Sequence, residues 1–250
     1  MKSSQMGRAD LHMHTTVSDG TATVRELLDY VTNRGDLDVI AITDHDRLSG
    51  SLWAYEHQDR YPFEIVPGME VSSRGGHILA LWVTKPIAPD LSVQETIAAI
   101  HEQNGIAVLA HPFHIHMTFV ARHAPGYLFN SQKLLNWGLD ALEVHNAGVL
   151  TPGSNRVARR VGKRMHITVL GNSDAHTLGA IGSGSTLFPG RTAADLRAAI
   201  MNQQTIAQGT SWRAREYLTF IRDLIERRGQ RWTEAEADIE IEPEAPVARI

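Results

Sequence analysis

A chain of 250 residues, 42% of them hydrophobic, is long enough to bury one sizeable core as a single domain. Its net charge of −4 provides no overall basic face for long nucleic acid, and no apolar run approaches the roughly 18 residues of a membrane span, so a soluble, cytoplasmic protein is expected. Cysteine is absent, which removes disulfides and thiolate ligands together; any metal must be held by His, Asp and Glu, and the chain carries 13 histidines.

In chain order, strands are predicted over 9–14, 39–43, 64–71, 77–83, 106–110, 141–145 and 167–170. Helices are predicted over 24–34, 49–57, 92–104, 131–136, 154–165, 193–203 and 212–228. Gly35, Gly105 and Gly138 read as helix stops. Short continuous apolar strands alternating with helices predict an α/β fold with a mainly parallel sheet covered by helices. Seven such units within 1–211 suggest one barrel domain, followed by a helical extension at 212–232. The segment 233–250 has six acids, two prolines and no aromatic residue, and reads as a disordered acidic tail.

The polar residues fall at strand ends. His12 and His14 close the first strand, two residues apart and so on one face, with Asp19 in the loop beyond. Asp44 and His45 follow VIAIT, Glu70 follows IVPGM, and His77 opens HILALWV. His111 follows IAVLA, Glu143 and His145 end ALEVH, and Asp174 and His176 follow TVLGNS. In an α/β barrel the C-terminal strand ends share one rim, where active sites assemble. Imidazole mixed with carboxylate suits Zn²⁺, Mn²⁺ or Fe²⁺. So many ligands exceed the three or so protein ligands of a single catalytic zinc, which implies two or three divalent transition-metal ions. Clustered ions would lower the pKa of a bound water toward neutrality and neutralise charge developing on a phosphoryl oxygen. His57, His101, His166 and His123 read as surface, cap or loop residues, whereas His114 and His116 stand just past a rim position. The short GxGS at 182–185 reads as a turn, not a phosphate loop.

These motifs, DLHMHTTVSDG, AITDHD, PGMEVSS, HILAL, LAHP and GNSDAH, in that order, resemble those of the PHP (polymerase and histidinol phosphatase) superfamily, most of all its small stand-alone phosphoesterases. The resemblance spans about residues 8 to 208 and implies a distorted (β/α)7 barrel with a trinuclear centre. It implies one ion held by His12, His14, Glu70 and Asp174, and a second by Asp19, His45 and His176. Glu70 would bridge to a third ion held by His111 and His77, with His145 or His114 as substitutes for His77. Asp44 would orient a neighbouring ligand. Asp19, His45, Glu70 and His176 would carry catalysis. The inserted domain that some relatives place between the third and fourth motifs is missing, unless 112–136 serves.

The leading functional expectation is a metal-dependent phosphatase acting on a small phosphomonoester, a nucleotide or sugar phosphate. The alternatives are a nuclease or phosphodiesterase on short nucleic acid, and a non-catalytic metal-binding regulatory module. An amidohydrolase also begins with HxH but commonly uses a carbamylated lysine at a strand end; Lys2, Lys85, Lys133 and Lys163 do not suit that role. Substrate phosphate calls for a cation beyond the metals, and Arg47, Arg74, Arg122 and Arg156 are candidates. His114 and His145 complete the expected substrate contacts.

Overall fold

The computed structural model describes residues 6–114 and 131–227. Its strands are β1 (Met6–Asp10), β2 (Val39–Ile40), β3 (Glu64–Ile65), β4 (Gly68–Ser73), β5 (Gly76–Leu81), β6 (Ile106–Leu109), β7 (Ala141–Asn146), β8 (Thr168–Asn172), β9 (Gly184–Pro189) and β10 (Ile206–Gly209). Its α-helices are α1 (Val24–Arg34), α2 (Ser49–Glu56), α3 (Val93–His101), α4 (Ser131–Asn136), α5 (Ser154–Met165), α6 (Ala193–Met201) and α7 (Ala214–Arg227). Single 3-10 turns lie at Gln58–Arg60 and Leu178–Ala180.

The helices begin where their sequences supply caps. Thr23 and Glu26, Ser92 and Glu95, and Thr192 and Asp195 each form a reciprocal capping box at the starts of α1, α3 and α6. Gly35 closes α1 in the left-handed region, as its sequence position implies. Gly105 serves differently. Asn104 takes the positive φ, and a Cβ on Gly105 would lie 2.8 Å from both Ile100 and Val83, so close packing demands the glycine.

The strands form two five-stranded mixed sheets, ordered β10-β9-β1-β2-β3 and β4-β5-β6-β7-β8. This departs from the expected mainly parallel barrel: their ladders do not close into one ring. In the first sheet β1, β2 and β3 are parallel, while β9 runs antiparallel to β1 and β10 to β9. In the second, β4, β5 and β6 are antiparallel, and β6, β7 and β8 parallel. The expected strand 64–71 is two strands because Pro67, which has no N–H for a ladder, interrupts it. The expected turn at 182–185 is half right: Gly182 turns at φ 70°, but Gly184 already opens β9.

Two isolated parallel bridges, Met13 to Ala175 and His45 to Glu70, link the sheets beyond the ends of β1 and β2. Below them, Leu11, Ala41, Leu79, Val108, Leu170 and Phe188 form one buried cluster drawn from both sheets. The site therefore rests on a packed floor. Among the described residues no helix is long and apolar enough to cross a membrane. Phe188 is fully buried in that floor, and Phe188→Ala should cost about 3–5 kcal/mol of stability by leaving a cavity. Thermal and denaturant unfolding would show it, and a loss below 1 kcal/mol would mean the floor collapses around the void.

Candidate metal centre

The site is built around one carboxylate. Glu70, on β4, is wholly buried, and its two oxygens meet five imidazoles. Oε2 lies 3.1 Å from His12 Nε2, 3.3 Å from His14 Nε2 and 3.2 Å from His45 Nδ1. Oε1 lies 3.0 Å from both His77 Nδ1 and His111 Nε2. His12 and His14 project together past β1, with ring centroids 5.1 Å apart. The bridge from Met13 to Ala175 keeps that segment extended beyond the last ladder residue.

A second carboxylate, Asp174, places Oδ1 3.4 Å from His12 Nε2, 3.2 Å from His14 Nε2 and 3.6 Å from His176 Nδ1. Asp174 and His111 both have positive φ, 51° and 26°, sharp turns just past β8 and β6 that aim their side chains inward. Asp19 lies on the outer side, with Oδ2 3.2 Å from His176 Nε2 and 3.8 Å from His45 Nε2. The side chains of Asp19 and His45 are 23% and 27% exposed against 1% for Glu70, so the cluster opens on that side.

Four donor groups result, each with its ligand atoms within 4.8 Å of one another: His14, Asp19, His45 and His176; His12, His14 and Asp174; His12, Glu70 and His111; and His45, Glu70 and His77. All nine expected ligands are thus brought together. His14 supplies the test of whether ions fit. Neither of its ring nitrogens makes a hydrogen bond of normal geometry, although carboxylate oxygens of Asp174, Glu70 and Asp19 stand 3.2, 3.3 and 3.6 Å away. Carboxylate oxygens that face both His14 nitrogens without hydrogen-bonding them suit a shared cation, and the imidazole–carboxylate set suits Zn²⁺, Mn²⁺ or Fe²⁺.

The imidazoles and carboxylates of the cluster shift one another strongly. Burial opposes charge on His14, but Asp174, Glu70 and Asp19 outweigh it and raise its pKa to about 10. His12 is raised well above its ordinary value against the same burial, by Asp174, Glu70 and Glu143. His45 is lowered to about 4 by burial, reinforced by its neighbours His14 and His77. The pKa of Glu70 is held far below the carboxylate range; burial opposes this, and the surrounding histidines overcome it.

Around the donors lies a supporting layer that the sequence showed only in part. Glu143, legible only as one more strand-end acid, accepts from His12 Nδ1 at 3.0 Å and Asn172 Nδ2 at 2.8 Å through Oε1. Its Oε2 accepts from the backbone N–H of His111 at 2.8 Å and from Asn146 Nδ2 at 2.9 Å. This directs His12 Nε2 inward. Asn146 also donates to Asp174 Oδ2 at 2.9 Å. Asp44 holds the loop leading to Asp19, not a histidine ring: it accepts from Thr15 N, Thr15 Oγ1 and Ser18 Oγ at 2.7, 2.7 and 2.6 Å. On the outer side the His176 ring is 4.6 Å from that of Phe220 on α7 and 5.9 Å from Trp212, so the extension walls the site.

The expected substrate contacts divide. His114 stays at the rim, its ring 5.9 Å from His111 and Nδ1 3.4 Å from Thr151 Oγ1. His145 does not join the cluster. A register shift between Glu143 and His145 breaks the two-residue alternation, and Nδ1 of the buried His145 meets Arg159 at 3.0 Å instead. It can neither replace His77 nor reach substrate there. Arg47 is exposed two residues past His45, and Arg156 is exposed in the first turn of α5. Arg74 pairs with Glu95 on the surface. Arg122, His116 and His123 lie outside the described residues, as do most of 112–136 and all of 233–250. His57 caps α2 and His166 caps α5, while His101 pairs with Asp140 at 2.9 Å, all away from the cluster.

Comparison with known proteins agrees with the class this site defines. The PHP domain profile matches residues 10–148, more than half the chain, and a PHP-associated profile matches 152–205. The chain belongs to the PHP family. It is 30% identical over 151 residues to an uncharacterised protein of Methanocaldococcus jannaschii, covering 56% of this chain and 82% of that one. It is 39% identical over 80 residues to the phosphoribosyl 1,2-cyclic phosphate 1,2-diphosphodiesterase of Eggerthella lenta, 30% of each chain. A two-domain protein of Bacteroides vulgatus, described as containing a predicted PHP-like metal-dependent phosphoesterase, superposes with a TM-score of 0.65 at 17% identity, covering 88% of this chain and 70% of that one.

Two outcomes follow from the geometry. Ions bind neutral imidazole, whereas His14 in the ion-free cluster keeps its proton up to a pKa of about 10. Metal uptake at pH 7 should therefore release protons, and apparent affinity should rise with pH; calorimetry in buffers of different ionisation enthalpy measures this, and binding without proton release refutes it. Glu143→Gln should lower metal affinity by about 10- to 100-fold while the fold is retained. Equilibrium dialysis that finds affinity unchanged would show that His12 needs no such partner.

Proposed function

We propose that the protein is a metal-dependent phosphoesterase that hydrolyses a small phosphomonoester at a centre of two or three divalent transition-metal ions. The supporting observation is Glu70, whose two oxygens each face separate imidazole groups and so suit a carboxylate bridging ions. Bound there, the ions would supply a water of lowered pKa and Lewis-acid stabilisation of phosphoryl charge. The nine residues gathered around Glu70 would be the ligands. Three carboxylates, Glu70, Asp174 and Asp19, would face two or three dications, leaving a net positive site that favours a phosphate dianion over a neutral amide. The described lysines, Lys85, Lys133 and Lys163, are all exposed, so none of them provides a carbamylated bridge.

The chain's own residues would divide the work. Buried Glu70 and Asp174 fix the separation of the ligands, and Glu143 fixes the ring of His12. Asp19, His45 and His176, on the open side, would meet the phosphoryl group. His114 would hydrogen-bond a substrate oxygen at the rim, and Arg47, exposed beside His45, would offer its guanidinium to phosphate. The two bridges between the sheets favour reading the architecture as a distorted (β/α)7-type barrel. A phosphodiester substrate is the second reading, favoured by the match to the Eggerthella enzyme.

A screen of phosphomonoesters, cyclic phosphodiesters and short oligonucleotides with Mn²⁺ should find the highest kcat/KM on a monoester; preference for a diester selects the second reading. On the best substrate, Glu70→Gln should lower kcat at least about a thousandfold, roughly 4 kcal/mol of barrier. Metal content should fall with it, while circular dichroism stays unchanged. Full metal content with near-normal turnover would move the bridge to another carboxylate.

A further inference from the structure

Helix α5 packs against β7 and β8 of the second sheet. Its sequence, SNRVARRVGKRM, carries Arg156, Arg159, Arg160, Lys163 and Arg164 and no acid. All five are exposed, and none has a carboxylate partner among the described residues; Arg159 alone makes a polar contact, to His145. Five like charges on 12 residues repel one another at three- and four-residue spacings. Between α5 and β8 and β10 lies a cavity of about 490 Å³. Val144, Ile167, Val169 and Ile206 give it an apolar lining, and Arg159 and Lys163 border it. Ile206, on the edge strand β10, is 54% exposed.

We propose that this groove is the docking site of the chain's own acidic C-terminal segment, residues 234–244. That segment reads EAEADIEIEPE, with acids at 234, 236, 238, 240 and 242 alternating with Ala235, Ala237, Ile239 and Ile241, and a sixth acid at 244. In an extended chain that alternation puts carboxylates on one face and apolar side chains on the other. The groove offers the complement of both: cations on α5 for the acids, and aliphatic surface for Ile239 and Ile241. The number of charges also agrees, six acids in 234–244 against five cations on α5. Length permits it. From Arg227, the last described residue, to Glu236 the chain spans nine residues, or about 30 Å extended. A 250-residue domain has a radius of gyration of about 18 Å. Docking would screen the repulsion along α5 and cover Ile206.

The test uses the full-length protein and a zero-length carbodiimide, which joins a carboxylate to a lysine only in direct contact. Lys163 is the one lysine on α5; the others are Lys2, Lys85 and Lys133. The expected product, mapped by mass spectrometry, is a link from Lys163 to an acid within 234–244. In a mixture of isotope-labelled and unlabelled protein it should form within single chains. Its yield should fall at least about fivefold at 1 M salt, where the Debye length is about 3 Å, and in the Ile239→Ser, Ile241→Ser variant, which leaves the folded domain untouched. Links spread evenly over the four lysines, or none, would leave α5 to a separate polyanion and overturn the proposal. Links only between labelled and unlabelled chains would assign the groove to a second copy and overturn it as well.

Discussion

The buried carboxylate of Glu70 is the constraint on which the rest of the site depends. An isolated charge at that depth would cost several kcal/mol to bury, so a carboxylate there persists only with compensating partners. Five imidazoles from four separate segments converge on it, His12 and His14 sharing the segment past β1, and each segment must bring its rings within about 3.3 Å of the carboxylate. Without ions the compensation comes from protons on His12 and His14; with ions bound it would come from the metals. The same geometry serves both states, because a nitrogen that donates to a carboxylate oxygen faces the direction in which its lone pair would bind an ion.

That demand explains the backbone around the site. His111 and Asp174 sit at positive φ because a strand that simply continued would carry them past the cavity. Isolated bridges, not long ladders, join the sheets at this end, leaving backbone free to turn inward. Asp44 and Glu143 then restore rigidity, each accepting several hydrogen bonds from neighbouring segments. Glu143 alone ties β7 to the His12 ring, the His111 backbone and Asn172. Rigidity at this end comes from buried acids that would make no contact with substrate.

The donor set was legible in the sequence because His, Asp and Glu at apolar strand ends are a chemical signal independent of how the strands pair. Pairing direction was not legible. Apolar runs such as HILAL read alike in parallel and antiparallel ladders, so the β4–β5–β6 meander resembled part of a parallel sheet. β9 and β10 escaped notice because GSTLFP and IAQG are short and begin or end in glycine. His145 was misplaced for a local reason: two-residue alternation holds only in a regular strand, and one register shift turned its ring toward Arg159. Asn146 and Asn172 gave no signal because amides are weak ligands, and their role exists only through hydrogen bonds that the fold creates.

Net charge is similarly blind to local arrangement. A total of −4 provides no overall basic face for long nucleic acid, but the sum combines three unlike regions. Buried acids in the centre are matched to histidines, which count as neutral at pH 7. The segment 233–250 adds six acids, and α5 adds five cations without an acid between them. With a Debye length of about 8 Å at physiological salt, a ligand approaching α5 meets that helix's field and little of the rest. On the proposed readings, specificity for anions would be set patch by patch: by ions bound at the strand ends for a phosphoryl group, and by α5 for an extended acidic chain.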